Sequence, residues 1–434
     1  MAINFRFVHM ADVHLGKQQY GRIERAADFA RAFRDVVKHA VDAGVDFVVI
    51  AGDLFEQKTV DPETFNVASA GLRRLAEANI PVFAIEGNHE KFLRHGARTW
   101  VWYLGQQGLL RLLDIGHENG EVAIRPWRAD TGGTYFDLDG VRIFGIGYYG
   151  ARLPRIVGRF ADLAAEIPSS GIEHSICLLH TGVDDKVDYL HSGCTAAELL
   201  VLDRVIDYVA LGHVHHHFSL PDGPDDEPLL FNPGALENWS SREVGQAKGF
   251  FDVAVDTTAT PKQRARHVSD VAFCRKYLKL EIDVSMYSAP DELAEAIAAC
   301  AETHLGLRSD RPIVELRLAG LLRFERGLIE PALYETILKE KLDSLVSRVV
   351  LDTVRREIGD SGASDLERTR SDIEADVLKQ IFEQYDDFAP HADKLAAVAS
   401  RLKSESIQSD SPESLVEALT SELERAGILD VADN

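Results

Sequence analysis

The sequence predicts an α/β protein: a two-sheet αββα sandwich, followed by a small α/β domain and C-terminal helices. Three observations predict it. Short apolar runs that end on polar residues alternate with helical patterns through the first third of the chain, the rhythm of parallel strands joined by crossovers. A hairpin signal at Asp139-Gly140 then announces a second sheet. Finally, Leu278, Leu280, Ile282 and Val284 alternate with charged residues, the pattern of a half-buried strand outside the sandwich.

Taken in order, Phe5 to Met10 reads as the first strand. A helix from about Ile23 to Ala43 follows, with Ala27, Ala30, Phe33, Val37 and Ala40 near helical spacing and Gly44 as its stop. The run Asp46 to Ala51 is a buried strand, Asp61 caps a second helix with Pro62 at its first position, and Pro81 to Ile85 is the next strand. Thr134 to Gly150 forms the hairpin leading into Val141 to Ile146; Ser175 to Leu179 and Tyr208 to Leu211 are strands, with a helix from Thr195 to Asp203 between them. The strand Gly249 to Val255 closes the first domain, and the polar segment Asp256 to Ser269 reads as a linker. A helix Asp291 to His304, a strand through Val314, Leu316 and Leu318, a helix Pro331 to Leu342 and a strand Val346 to Leu351 complete the small domain. After Gly359 the chain turns acidic and helical: Ile373, Val377, Ile381 and Tyr385 form one stripe, and Ser411-Pro412-Glu413 opens a last helix through Leu415, Leu419 and Leu423 that stops at Gly427. The expected domains are 1–258, 270–356 and 360–434.

The strand ends carry the chemistry. Asp12 and His14 follow the first strand, Asp53 the second, and Asn88, His89 and Glu90 the third; His180 ends the fourth, and His213 and His215 follow the fifth. Open α/β sheets place ligands at these ends. In extended backbone, side chains two apart point the same way, so Asp12 with His14 and His213 with His215 would each present two groups to one side. Carboxylates and neutral imidazoles suit Mn²⁺, Fe or Zn²⁺, and a carboxylate shared by two ions sets them about 3.5 to 4 Å apart, as in two-metal phosphoester displacement. Asp53 is the expected bridging residue. His9, His216 and His217 are read as core or rim histidines and left out of the set.

A net charge of −23 excludes a protein that coats nucleic acid by charge alone. Gly359 to Asn434 holds 18 acidic and 7 basic side chains, −11, so the excess is concentrated in the tail. The basic residues of Lys91 to Arg98 fall at helical spacing; Arg94 and Arg98 are candidate phosphate contacts, against the plainer reading of a solvated face. Cys177, Cys194, Cys274 and Cys300 form no Cys-x-x-Cys pair, which argues against a disulfide framework or a structural zinc site and fits a reducing compartment. No apolar run is long enough to span a bilayer, and a cytoplasmic location is expected.

The set Asp12-x-His14, Gly52-Asp53, Gly87-Asn88-His89-Glu90, His180 and Gly212-His213-x-His215 resembles the calcineurin-like metallophosphoesterases. Ala11 to Gly16, Ala51 to Phe55 and Asn232 to Glu237 look like those of the SbcD-type repair nucleases, the resemblance covering about the first 255 residues. It implies that Asp12, His14, Asp53 and His215 hold one divalent ion and Asp53, Asn88, His180 and His213 a second, Mn²⁺ being the expected metal. It implies that His89 is a catalytic residue assisting the leaving group or the transition state. It further implies phosphodiester hydrolysis of DNA, acting on duplex ends and single strands, in repair and recombination, with an SbcC-type coiled-coil ATPase as partner, a DNA-capping role for 270–356, docking of the tail on the ATPase, and a homodimer. Two departures stand out: Glu56 where some relatives carry His, and Ala235 where the repair nucleases show Ser. Neither is expected to touch the metal ligands.

A protein phosphatase would share Gly-Asn-His-Glu, but Leu54 to Lys58 lacks the Asp-Arg-Gly that would supply an arginine to a phosphomonoester. A small-molecule cyclic phosphodiesterase fits the extra domains less well. A non-catalytic scaffold on the same fold would tend to lose ligands, and here all are present.

Overall fold

Alternation within the first strand decides which way each side chain points. In Asn4–Met10 (β1), Phe7 faces one side and Val8 and Met10 the other, and all three are fully buried. A strand apolar on both faces must be covered on both. The computed structural model describes residues 2–91, 98–118, 120–186, 193–222, 227–269, 274–354, 378–379, 382 and 391–406.

The chain runs on through α1 (Ile23–Ala43), β2 (Phe47–Ala51), α2 (Pro62–Glu77), β3 (Val82–Ile85), α3 (Trp100–Gln106) and β4 (Arg111–Leu112). After an antiparallel ribbon of β5 (Gly116–Glu118) and β6 (Glu121–Ala123) come β7 (Tyr135–Leu138), β8 (Val141–Ile146), α4 (Leu153–Ala165) and β9 (His174–His180). A short pair, β10 (Gly182–Val183) and β11 (Gly193–Cys194), precedes α5 (Ala196–Leu200), β12 (Tyr208–Gly212), β13 (Phe218–Leu220), β14 (Leu230–Asn232), β15 (Phe250–Asp256) and β16 (Gln263–Val268). Two six-stranded sheets result, ordered β16-β15-β1-β2-β3-β4 and β13-β14-β12-β9-β8-β7. The neighbours β1 to β4 are mutually parallel, as are β8, β9, β12 and β14, while β15 and β16 run antiparallel.

Phe7, Phe47, Phe83, Ile176, Leu178 and Tyr208 pack between the sheets, with Phe7 and Phe47 stacked at 5.0 Å. Each such fully buried side chain contributes roughly 1.5–3 kcal/mol. The outer face of the first sheet is covered by α1 and α2 through Phe33, Val36, Leu72 and Leu75, and that of the second by α4 through Val157 and Phe160. Gly44 ends α1 at φ 61°, its N–H returning to the carbonyls of Ala40 and Val41, and Asp61 caps α2 by accepting from the Thr64 N–H at 2.9 Å. The expected helix over Thr195 to Asp203 is a capped five-residue α-helix that tightens into a 3₁₀ turn at Val201–Arg204.

Asp256 to Ser269 is not a linker. After a turn, Gln263–Val268 pairs antiparallel with β15 at the sheet edge. Its polar composition hid it because the inward polar groups find partners: Gln263 Nε2 donates to the Asp207 carbonyl at 2.8 Å and His267 Nε2 meets the Pro233 carbonyl at 2.9 Å. Arg264 faces solvent, as suits an edge strand.

The small domain is a three-stranded parallel sheet, β17 (Tyr277–Asp283), β18 (Ile313–Leu321) and β19 (Val346–Val354), covered by α6 (Pro290–Glu302) and α7 (Pro331–Leu342). A buried ion network joins it to the sandwich. Arg25, fully buried on α1, holds Asp28 at 2.7 Å and Glu237 at 3.2 Å; Arg275 grips Asp28 at 2.5 and 2.7 Å while its N–H donates to Glu237 at 2.9 Å. Tyr20, in the loop after His14, shares a 2.5 Å hydroxyl hydrogen bond with Tyr277.

Residues 356–434 form a separate unit, in which the helix Ala392–Ser406 is described. The stripe through Ile373, Val377, Ile381 and Tyr385 and the helix opening at Ser411 lie outside the described residues.

Candidate metal centre

The loops after β1, β2, β3, β9 and β12 meet at one end of the sandwich. The backbone differs from the extended one expected at Asp12, His14 and His213, which take φ of 50°, 49° and 95°; Asp53 takes 51°. Non-glycine residues there cost of order 1–3 kcal/mol each and persist only where their surroundings impose them. The surroundings are visible. The N–H groups of Val13 and His14 both donate to the Asp53 carbonyl at 2.9 and 3.0 Å, and the Asp12 carboxylate accepts from the His213 N–H at 2.9 Å.

Two donor groups share Asp53. On one side His14 Nε2 lies 3.1 Å from His215 Nε2 and 4.0 Å from Asp53 Oδ2, with Asp12 Oδ1 at 4.0 Å from His215 Nε2. On the other, His180 Nε2 lies 3.3 Å from Asp53 Oδ2 and 3.0 Å from Asn88 Oδ1, which is also 2.9 Å from His213 Nδ1. All seven residues proposed as ligands from the sequence are thus gathered. Asp12, His14, Asp53 and His180 are essentially buried.

The far side of each ring fixes where its lone pair points. His14 Nδ1 meets Glu56 Oε2 at 2.9 Å, His215 Nδ1 meets Glu243 Oε1 at 3.0 Å and His180 Nδ1 meets the Ala51 carbonyl at 2.8 Å. With a proton on each Nδ1, the three Nε2 lone pairs face one another, a carboxylate and an amide oxygen. Such a donor set fits divalent cations, each imidazole being oriented by a partner behind it. The electrostatics agree. Burial alone pushes the His180 imidazole down, yet Asp53 lifts it to about 9, and burial's upward push on the Asp53 carboxyl is overcome by His180, His14 and His89. Burial pushes the His14 and His213 imidazoles down, so the positive charge gathers at His180 beside Asp53.

Several residues to which the sequence reading gave no role hold this geometry. Glu90, buried, accepts from the N–H groups of Asp53 at 3.2 Å, Phe55 at 2.9 Å and Gly87 at 2.8 Å, clamping two ligand loops together; burial and the Asp53 charge push its carboxyl up. Gly87 leaves room for that arrangement, since a Cβ there would lie 2.0 Å from Asp53 Oδ1. Glu243 is held by Lys248 at 2.7 Å; burial pushes its carboxyl up, but His215 and Lys248 together hold it at about 2. The expectation that Glu56 and Ala235 stand clear of the ligands is corrected. Glu56 contacts His14 directly and also accepts from Lys17 at 2.8 Å and Trp239 Nε1 at 2.9 Å; the Ala235 N–H donates to the His215 carbonyl at 3.2 Å.

His89 is partly exposed, its Nδ1 2.7 Å from the Glu56 carbonyl and its Nε2 4.0 Å from Asp53 Oδ2. Trp239 stands at the rim, its ring 6.3 Å from that of His89, and Tyr148 flanks the other side, 5.9 Å from His213. His9 is a core histidine, bonded to the Tyr208 hydroxyl at 3.0 Å and the Leu211 carbonyl at 2.9 Å, and the exposed His217 stacks on His267. Arg98 lies exposed over Trp102; Arg94 falls outside the described residues.

A helix-flanked double sheet carries carboxylate, amide and imidazole groups that converge on one shared Asp, a donor set suited to divalent cations. Residues 5–217 match the family model of the calcineurin-like phosphoesterases, and the chain carries a domain of that family. It is 33% identical over 259 residues to the DNA double-strand break repair protein Mre11 of Archaeoglobus fulgidus, covering 58% of this chain and 54% of that protein. It is 29% identical to the protein of that name from Saccharolobus solfataricus, covering 55% and 56%, and 24% identical to that of Thermoplasma acidophilum, covering 83% and 91%. The chain spans about half the length of the first two.

Proposed function

We propose that this protein is a two-metal phosphodiesterase that hydrolyses DNA in double-strand-break repair. The observation that carries the reading is the sharing of Asp53 between the two donor groups, His180 on one side and His14 on the other. Asp12, His14, Asp53 and His215 would hold one ion and Asp53, Asn88, His180 and His213 the other, Mn²⁺ being the metal favoured. Ions bound there would supply a more acidic water and Lewis-acid stabilisation of the phosphoryl oxygens.

The chain's own residues do the rest. The Glu56 carbonyl fixes the His89 Nδ1 proton, and Nε2, 4.0 Å from Asp53 Oδ2, is the nitrogen that would pass a proton to a leaving alkoxide. Glu56 and Glu243 keep His14 and His215 in the tautomer that presents Nε2, and Glu90 holds Asp53 against Asn88. The small domain over 270–356 would cap DNA, the nuclease domain would occupy 1–258, and the tail over 360–434 would dock on a coiled-coil ATPase, with the chain acting in the cytoplasm as a homodimer. No helix among the described residues is long and apolar enough to cross a membrane.

The test is degradation of end-labelled duplex DNA in Mn²⁺ by the parent, Asp53→Asn and His89→Ala. Cutting should be abolished in Asp53→Asn and fall by a factor of 10²–10⁴ or so in His89→Ala with both ions retained. A metal-loaded parent that cleaves a phosphopeptide and leaves DNA intact overturns the reading.

A further inference from the structure

Between α3 and the segment from β4 to Thr134 lies a cavity of about 710 Å³. Its volume falls within the roughly 300–1,000 Å³ expected of a small-ligand site. Arg98, Arg125 and Arg128 reach it, with the rings of Trp102 and Trp127. In a chain of net charge −23, three guanidinium groups around one concavity mark a local reversal of sign.

Two carboxylates also line it: Asp130, exposed two residues beyond Arg128, and Asp114, which is already engaged. Asp114 accepts from Lys91 at 3.1 Å, the Gly147 N–H at 3.0 Å and the Tyr149 hydroxyl at 3.2 Å. Arg125 and Glu118 are 3.9 Å apart and both more than half exposed, a pair of little energy. The Trp127 ring is fixed from behind, its Nε1 donating to the Leu112 carbonyl at 3.1 Å and its edge packed on Phe136, and the Arg98 guanidinium lies 4.5 Å over Trp102. A fixed indole beside arginines is a means by which proteins hold unpaired bases and their phosphates without reading sequence. A duplex, with its bases stacked inward, offers no faces to such rings.

The cavity also connects to the proposed reaction. Asp114 is shared with Tyr149 and Lys91; Lys91 lies two residues beyond His89, and Tyr148 reaches the His213 ring. We propose that this cavity is a subsite for an unpaired DNA strand leading to or from the metal centre, phosphates on Arg98, Arg125 and Arg128 and bases against Trp102 and Trp127. The proposal rests on the phosphodiesterase reading above.

The test uses the full chain and separates the two. Binding of fluorescein-labelled dT₁₂ is measured by anisotropy in EDTA across a salt series, for the parent, Arg125→Glu/Arg128→Glu and Trp102→Leu, and hydrolysis of bis(p-nitrophenyl) phosphate in Mn²⁺ is measured for all. Both arginines are exposed, so the charge reversals leave the fold and the small-substrate rate intact. Expected are a tenfold or greater loss of dT₁₂ affinity in the double variant, a salt slope shallower by about 1.4 for two lost phosphate contacts, and a several-fold loss in Trp102→Leu. Unchanged dT₁₂ affinity and slope, or an equal loss on blunt duplex, overturns the subsite while normal small-substrate hydrolysis keeps the phosphodiesterase reading. Absence of that hydrolysis in a metal-loaded parent overturns the reading on which the subsite stands.

Discussion

Replacing Glu243 by Gln changes little volume and should nevertheless damage one metal site selectively. Glu243 Oε1 faces His215 Nδ1 at 3.0 Å while Oε2 faces the buried Lys248 ammonium at 2.7 Å and the Trp239 N–H at 3.0 Å. All these partners are donors when His215 presents Nε2 to the centre, and a glutamine has one oxygen to offer them. The amide will turn its oxygen toward the ammonium and its NH₂ toward His215, which then accepts at Nδ1 and carries its proton on Nε2, where the ion should sit. Loss of such a partner lowers metal affinity about 10- to 100-fold, roughly 1.4–2.7 kcal/mol. His180 is oriented by the main-chain carbonyl of Ala51, which the substitution leaves alone. Calorimetric titration with Mn²⁺ should therefore show one of two binding events weakened and the other as in the parent. Adding Lys248→Met frees the amide oxygen for His215 and should restore part of the loss. Equal weakening of both events, or a double variant no better than the single one, would refute the argument.

Gly87→Ala places a methyl 2.0 Å from Asp53 Oδ1 and 2.6 Å from its main-chain nitrogen, so metal content and cutting should both collapse, with about 1–3 kcal/mol lost in chemical denaturation. Arg25→Met removes one guanidinium from Asp28 and Glu237, which keep their bonds from Arg275, and should cost about 1.5–3 kcal/mol by the same assay; a loss below 1 kcal/mol would count against the network. Asp252 gives a pH signature: burial pushes its carboxyl up, but hydrogen bonds from Arg6 and His39 outweigh this and hold it at about 2. Its contribution is present above the unfolded value near 3.9 and lost as pH falls toward 2. Because Arg6 is partly solvated, screening limits this to about 1 kcal/mol, and Asp252→Asn should lower stability by that amount at pH 7 and by nothing near pH 2.

Much of this was legible in the sequence. The boundaries of α1, α2 and α7 follow from Gly44, Asp61-Pro62 and Pro331, because caps and breakers act through their own few residues. The convergence of Asp12, His14, Asp53, Asn88, His180, His213 and His215 was legible because metal chemistry narrows each strand end to Asp, Asn or His. What escaped carries no period. Glu243, Lys248 and Trp239 are single residues in a loop, brought to His14 and His215 only by folding, and nothing local distinguishes them from surface residues. Arg25 was hidden for the opposite reason: an arginine on a helix reads as solvent-facing, and only its distant partners explain its burial. The left-handed backbone at Asp12, His14 and His213 was misread because residue spacing carries no information on φ when the contacts that impose it are remote.

The ion network around Asp28 has a practical meaning for dissecting the molecule. Its members come from α1, from the turn that follows β14, and from Arg275 just before β17, so the sandwich is not self-sufficient at the point where its last strand ends. A fragment stopping at residue 258 would lose β16, with the covers it gives Asp207 and Pro233, and would leave Asp28 without the guanidinium that grips both its oxygens. Carried instead through residue 354, the chain keeps every one of these partners together with the sheet that begins at Tyr277. The smallest piece worth expressing is thus longer than the family match, and a shortened one that precipitates would report a severed ion cluster rather than an absent activity.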